Sequence, residues 1–194
     1  MSMEFDWFLF ILTALIAMFG IINVYSATRS YGTISNVVVQ SFAVVLGLVL
    51  MILISRFDYE QFKNLVKPIY IFALFILIIV LFFGVTGEWG ARSWIRFGSI
   101  GIQPAEFAKV CFILTFSYHL SKVQDKINKP LIILGLLVHM GVLVGLIMLE
   151  PDLGSALVFL FIFVCMMFTA KLSWKYIVPI TALAIASLPF IYKY

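Results

Sequence analysis

The sequence predicts an all-α polytopic membrane protein with about seven transmembrane helices and almost no soluble domain. Of its 194 residues, 64% are hydrophobic and 11% are charged, and the mean hydropathy is +1.15. A soluble domain is about half apolar and about a quarter charged. A chain of this composition has too few polar side chains to cover a surface that faces water. Lipid is the expected solvent, and residues 1–194 are predicted to form a single membrane domain.

Seven apolar stretches account for this prediction. A bilayer core about 30 Å thick requires roughly 20 apolar residues in a helix, and each stretch meets or nearly meets that length. Only Glu150, Pro151 and Asp152 connect the fifth stretch to the sixth, which predicts a tight antiparallel hairpin. The stretches are residues 7–25, 37–54, 68–85, 104–120, 131–149, 153–170 and 177–192.

The basic residues predict the orientation. Loops 55–67, 121–130 and 171–176 together hold eight lysines and arginines, whereas the loops between them hold only Arg29, Arg92 and Arg96. Cytoplasmic loops of membrane proteins carry the excess of Lys and Arg. The N-terminus is therefore predicted to be cytoplasmic and Tyr194 to be outside. The net charge of +4 is explained by topology, so nucleic acid is not expected as a partner.

Loop three, residues 87–98, is the first candidate for function, and two interpretations of it stay open. It can be an interfacial anchor, with Trp94 at headgroup depth and arginines on lipid phosphates. It can also be a re-entrant or surface-lying segment that binds an anionic lipid headgroup. Arg92 and Arg96 are four residues apart and would share a face if the segment is helical. Such a cationic face would suit a diphosphate.

The start of the fourth span carries an acid and a base. Proline is tolerated in the first turn of a helix, so Pro104 marks this start. Lys109 then lies about 7 Å into the membrane, where a lone lysine costs a few kcal/mol. Glu106 is three residues away on the same face, so the two are predicted to pair. The pair is interpreted either as lining a polar cavity or as a capped pair that snorkels to the interface.

The hairpin between spans five and six holds two carboxylates. Asp152 can cap the sixth helix. Together with Glu150 it could instead form an acidic mouth on the outer side, for a substrate amine, a divalent cation, or the orientation of Arg92 or Arg96. No metal-ligand set and no certain cofactor are predicted. A divalent cation at this mouth stays an open alternative.

The two histidines are predicted to be structural. His119 ends the fourth span near the cytoplasm, where a solvated interfacial position is expected. His139 lies in the middle of the fifth span, where an interhelical hydrogen bond is a more economical explanation than a proton relay. Neither histidine is assigned to the candidate site.

Three motifs resemble successive signatures of the SEDS family (shape, elongation, division and sporulation; RodA, FtsW and SpoVE). They are GARSWI at 90–95, QPAEFAK at 103–109 and EPDLGSAL at 150–157, and their order and spacing are similar to the family's. Asn23, Tyr25 and Ser26 at the end of the first span match as well. The short N-terminal tail makes the chain look nearer the RodA branch than the FtsW branch.

The resemblance implies a function and a setting. It implies a multi-pass protein of the bacterial cytoplasmic (inner) membrane with about ten spans. Such a protein polymerises lipid II, an undecaprenyl-diphosphate-linked sugar, into peptidoglycan on the outer face during elongation or division. The implied partner is a class B penicillin-binding protein. Other functions left open are a lipid II flippase lined by Glu106 and Lys109, and a non-catalytic membrane scaffold for the penicillin-binding protein.

The sequence differs from the family pattern in two respects. The family usually has Gln where this chain has Glu150. The chain also matches only about the N-terminal half of a family member, and the outer loop after span seven, with its catalytic aspartate, has no counterpart in the 194 residues. No catalytic residue is therefore assigned, and the chain alone is expected not to polymerise glycan.

Overall fold

The structure is a computed structural model, and it describes residues 5–29, 34–56, 59–86, 90–97, 100–176, 178–179 and 182. Within these residues it contains six α-helices, one two-stranded antiparallel hairpin and two short 3-10 helices, Tyr59–Asn64 and Gln124–Lys126. The chain divides into two compact units, residues 1–62 and 63–194, and each is described by itself.

The first unit is a pair of helices, α1 (Trp7–Thr28) and α2 (Ser35–Ile54), that contact each other. Asp6 caps α1, because its Oδ1 accepts a hydrogen bond of 2.9 Å from the Leu9 N–H. Neither helix buries a residue within the unit. Both are apolar around their whole circumference, which is the pattern of helices surrounded by lipid or by other helices.

The second unit packs four helices around an aromatic core. Phe112 stacks on Phe116 with ring centroids 5.0 Å apart, and these two rings contact Phe159 and Phe163 of the last helix at 5.5 and 5.2 Å. All four side chains are at most 1% exposed. The elements of the unit are α3 (Val66–Phe83), β1 (Ile95–Phe97), β2 (Ile100–Ile102), α4 (Pro104–Val123), α5 (Pro130–Leu149) and α6 (Leu153–Thr169).

The first six predicted spans correspond to α1–α6, with ends that agree to within a few residues. In the described part of the chain, α1, α2, α3 and α5 are long and apolar enough to cross a membrane. Helix α6 has 17 residues, and α4 carries Glu106 and Lys122 in its first and last turns. The protein is a polytopic all-α membrane protein. The seventh predicted span lies outside the described residues except for 178, 179 and 182, and the single domain stays a prediction.

The second unit separates its loops into two ends. At one end the Ser173 N–H donates to Asn128 Oδ1 at 2.9 Å, which joins loop four (residues 121–130) to loop six (residues 171–176). At the other end the Arg92 N–H donates to the Glu150 carbonyl at 3.1 Å, which joins loop three to loop five (residues 150–152). This alternation agrees with the predicted topology. The end with loop three is called the outer end below, after the orientation that the charges predict.

Candidate functional site

The described part of loop three, residues 90–97, is not helical, so the condition under which Arg92 and Arg96 would share a helical face is not met. Helix α3 ends before Gly84, and the Val85 N–H then donates to the Trp94 carbonyl at 2.8 Å as the chain returns. Strands β1 and β2 follow, with Arg96 opposite Gly101. The sequence does carry a signal for this hairpin. Apolar residues alternate at 95, 97, 100 and 102 around the Gly-Ser pair at 98–99, which is typical of a two-residue turn.

The hairpin brings Trp94 and Arg96 onto one face, because residues two apart on a strand point the same way. Gly101 lies beneath them: a Cβ added there would stand 3.0 Å from the Trp94 ring. Arg92 and Arg96 are both exposed, and Trp94 is 37% exposed. Within the described residues neither guanidinium forms an ion pair. Both arginines are therefore free to bind an anion.

The main chain of Arg92 is held between the ends of two helices. A Cβ on Gly84 would lie 2.5 Å from the Arg92 carbonyl oxygen and closer still to the Val80 carbonyl. On the other side, the Arg92 N–H donates to the carbonyl of Glu150. Ser93 between these contacts is 2% exposed. Arg92 is thus anchored through its main chain while its side chain is exposed.

Asp152 caps α6, as predicted, and it has a further partner. The Ser155 N–H donates to its Oδ1 at 2.9 Å, and the Ser155 hydroxyl donates to its Oδ2 at 2.9 Å. Gln103 donates from Nε2 to the same Oδ2 at 2.8 Å. This last bond connects the start of α4 to the start of α6, and the sequence, although it contains Gln103 in the motif at 103–109, did not predict it. A divalent cation at Asp152 would have to displace these donors.

Glu150 is buried, so the predicted open acidic mouth is wrong for this residue. Its side chain is 1% exposed, and neither carboxyl oxygen has a hydrogen-bond partner among the described residues. Burial and, secondly, the negative charge of Asp152 raise the pKa of Glu150 to about 8. The carboxyl is therefore mostly protonated at neutral pH. Its contact with Arg92 is made by the main chain and not by the charge.

Glu106 and Lys109 form the predicted ion pair. Lys109 Nζ lies 2.7 Å from Glu106 Oε1 in the first turns of α4. Within the described part of the chain the pair is only partly covered: the Glu106 side chain is 56% exposed and that of Lys109 is 17% exposed. The pairing is confirmed, whereas a cavity lined by the pair stays a prediction.

A second polar cluster lies deeper in the second unit. His139 of α5 makes the predicted interhelical hydrogen bond, because its Nε2 lies 3.2 Å from Thr115 Oγ1 of α4. The Tyr70 hydroxyl donates to the His139 carbonyl at 2.9 Å. His119, predicted to be a solvated interface residue, is partly buried, and its Nδ1 lies 3.1 Å from His139 Nδ1. Residues four apart share a helix face, so Thr115 and His119 both face α5.

Comparison with known proteins identifies the family. Residues 6–193 match the model of the cell cycle protein family of FtsW, RodA and SpoVE. A probable peptidoglycan glycosyltransferase FtsW of Geobacter metallireducens is 30% identical over 97% of this chain and 52% of its own length. The peptidoglycan glycosyltransferase RodA of Treponema pallidum is 33% identical over 96% of this chain and 43% of its own length. The chain thus spans about half the length of these relatives, and the assignment to the RodA branch stays a prediction.

Solved structures agree with the family match. One is a chain of a peptidoglycan synthase complex that couples polymerization and crosslinking. It superposes with a TM-score of 0.79 at 32% identity, over 96% of this chain and 55% of that one. The rod shape determining protein RodA of Thermus thermophilus gives 0.75 at 32% identity, over 95% of this chain and 60% of that one. By the extent of these matches, this chain belongs to the FtsW, RodA and SpoVE family, the SEDS proteins.

Proposed function

We propose that this chain takes part in polymerising lipid II into peptidoglycan, and that Arg92 and Arg96 bind the diphosphate of the lipid. The observation that carries the proposal is the anchored hairpin at the outer end, which presents two exposed arginines without an acidic partner among the described residues. The relatives named peptidoglycan glycosyltransferases support the reaction class.

The chemistry explains why cations are needed here. In glycan polymerisation a sugar hydroxyl attacks the anomeric carbon of a second lipid-linked sugar, and the bond to the diphosphate breaks. Negative charge develops on the departing diphosphate, and a guanidinium stabilises it through paired hydrogen bonds. Trp94, on the same face as Arg96, suits the headgroup depth of a bilayer. Asp152 already accepts three hydrogen bonds, so we assign it no role as the base.

The setting belongs to the same proposal. We place the protein in the bacterial cytoplasmic membrane, with loop three on the outer face where the charge asymmetry of the loops puts it. The proposed partner is a class B penicillin-binding protein. Its support is the similarity to a chain of a peptidoglycan synthase complex.

The test measures binding and polymerisation separately. The protein in lipid nanodiscs is titrated with lipid II, and Arg92→Gln and Arg96→Gln are each expected to weaken binding at least about tenfold, since a charge-assisted hydrogen bond contributes about 1.5–3 kcal/mol. Lys126→Gln is the matched control, an exposed cation in loop four, and should bind as the wild type does. Equal affinity for all four proteins would reject the headgroup site.

Polymerisation is assayed with lipid II, a divalent cation and a class B penicillin-binding protein that cannot polymerise alone. We expect this chain to bind lipid II without forming polymer by itself. Polymer formed by the chain with its partner would show that a residue of this chain acts as the general base. Translocation of labelled lipid II across vesicles, lost in Glu106→Gln, would favour the flippase instead.

A further inference from the structure

We propose that Glu150 is a positioning residue that holds loop three in place as a neutral carboxylic acid and releases it on ionisation. The inference rests on the proposed function only in that Arg92 is taken to bind the diphosphate. The device itself is a contact between two loops, and it can be measured without substrate.

The main chain and the side chain of Glu150 have different surroundings. The Glu150 carbonyl accepts the hydrogen bond of 3.1 Å from the Arg92 N–H, and the Glu150 N–H donates to the Ile147 carbonyl at 3.1 Å. Its main chain therefore connects the end of α5 to loop three. Its side chain is 1% exposed and leaves both oxygens without a partner among the described residues. The side chain cannot ionise in place without leaving a buried anion that has no hydrogen-bond partner among the described residues.

Among the described residues no cation forms an ion pair with Glu150. On its own hairpin, Asp152 is the anion that acts on it. From α4, Lys109 is paired with Glu106. From loop three, Arg92 approaches through its main chain, and its guanidinium and that of Arg96 make no ion pair with a described residue.

The position in the helix adds to this effect. Glu150 is the C-cap of α5, where the helix dipole presents its negative end. Asp152 is the N-cap of α6, where the dipole presents its positive end. The same hairpin therefore stabilises one carboxylate and destabilises the other. Burial raises the pKa of Glu150 to about 8, so the neutral form predominates at pH 7.

Ionisation has a mechanical consequence. A bare buried carboxylate is too costly to persist, so the ionised side chain must turn outward or admit water after it gives its proton to solvent. Either change moves the main chain of residue 150, and the hydrogen bond to the Arg92 N–H is lost. Loop three then retains its contacts at Gly84 and Val85 but loses the one to the α5–α6 hairpin.

The test is limited trypsin digestion of the full chain in detergent between pH 6.5 and 9, with peptides quantified by mass spectrometry. Cleavage after Arg92 and Arg96 is divided by cleavage after the exposed Lys171 of loop six, which corrects for the pH dependence of trypsin. For a pKa of about 8, the ionised fraction rises from about 3% to about 90%. The ratio is expected to rise at least about fivefold in the wild type and to stay constant in Glu150→Gln.

Asp125→Asn is the matched control, because Asp125 is an exposed acid in loop four, and it should behave as the wild type does. A second neutral variant, Glu150→Met, should also give a constant ratio. A ratio that rises equally in Glu150→Gln, or that does not rise in the wild type, would overturn the proposal. Failure of both neutral variants to accumulate in the membrane would overturn it too, because a neutral side chain is what it requires. No turnover is measured, so the outcome is independent of the glycan assay.

Discussion

Helix α4 is joined to its neighbours by two polar clusters of different character. The outer cluster lies where α4 and α6 begin, and the histidine cluster joins α5 to α4 and to α3. The histidine cluster consists of neutral donors and acceptors that pair with one another. The outer cluster contains one carboxylate with three donors and one carboxyl with none. The outer cluster comprises Gln103, Glu150, Asp152 and Ser155, and the histidine cluster comprises Tyr70, Thr115, His119 and His139.

The difference follows from where each cluster lies along the helices. The outer cluster lies at helix ends, where dipoles and unpaired main-chain groups stabilise or destabilise charge within one or two residues. The histidine cluster lies along the length of α4 and α5, where main-chain groups are already satisfied and only neutral side-chain pairs cost little. The outer cluster should consequently respond to pH and to charge changes. The histidine cluster should only stabilise the packing of the helices.

The largest expected effect is on the pH dependence of stability. The pKa of Glu150 is raised from 4.5 to about 8, so the folded protein binds more protons than the unfolded chain between these values. The free energy of unfolding should therefore fall as the pH rises across that window, by about 1.4 kcal/mol per pH unit. Glu150→Gln should remove this slope, as measured by reversible unfolding in bicelles at pH 5, 6, 7 and 8. Parallel slopes for the two proteins would mean that the carboxyl is solvated.

A smaller effect is expected at Asp152, and it tests whether Asp152 does more than cap α6. Asparagine caps as well as aspartate, but the hydrogen bond with Gln103 would lose its charged acceptor. Asp152→Asn should therefore lose about 1 kcal/mol of stability. Combining it with Gln103→Glu should restore most of that, because donor and acceptor are exchanged. Gln103→Glu alone sets two carboxylates together and should be destabilising. If Asp152→Asn unfolds as the wild type does, the bond to Gln103 contributes nothing.

The smallest expected effect is in the histidine cluster. A double-mutant cycle of His119→Leu and His139→Leu isolates the interaction between the two rings. Interhelical hydrogen bonds in membrane proteins average about 0.6 kcal/mol and reach about 1.7, so a coupling in that range is expected at pH 7. Strictly additive losses would show that the rings only pack. A coupling energy far above that range would show that the histidine cluster does not consist of weak neutral pairs, unlike what the comparison with the outer cluster assumes.

The sequence predicted the parts of the fold that depend on local chemistry. Apolar length identified six helices, and Pro104 and Asp152 marked the starts of α4 and α6. The pairing of Glu106 with Lys109 followed from their spacing on one helix. Each of these features is determined within a few residues, so helix geometry alone is sufficient to predict it.

The parts that the sequence did not predict depend on contacts between distant segments. Glu150 is a charged residue in a three-residue connection, which normally indicates exposure. Its burial depends on the packing around the hairpin, to which Arg92, 58 positions earlier in the sequence, is hydrogen-bonded. Gln103 meets Asp152 across 49 positions, and His119 meets His139 across 20. The periodicity of the sequence gives no information about such long-range contacts. Only the β-hairpin had a local signal that the helical interpretation overlooked.

The close approach at Gly84 has a consequence for sequence variation. Loops at the surface of a protein usually tolerate substitution better than helices do. Here the carbonyl of Arg92 occupies the space that any larger side chain at position 84 would need. In a deep mutational scan, this codon should therefore be among the least tolerant in the chain, although it lies at a loop. Positions on α1, which bury nothing within their unit, should accept most apolar replacements.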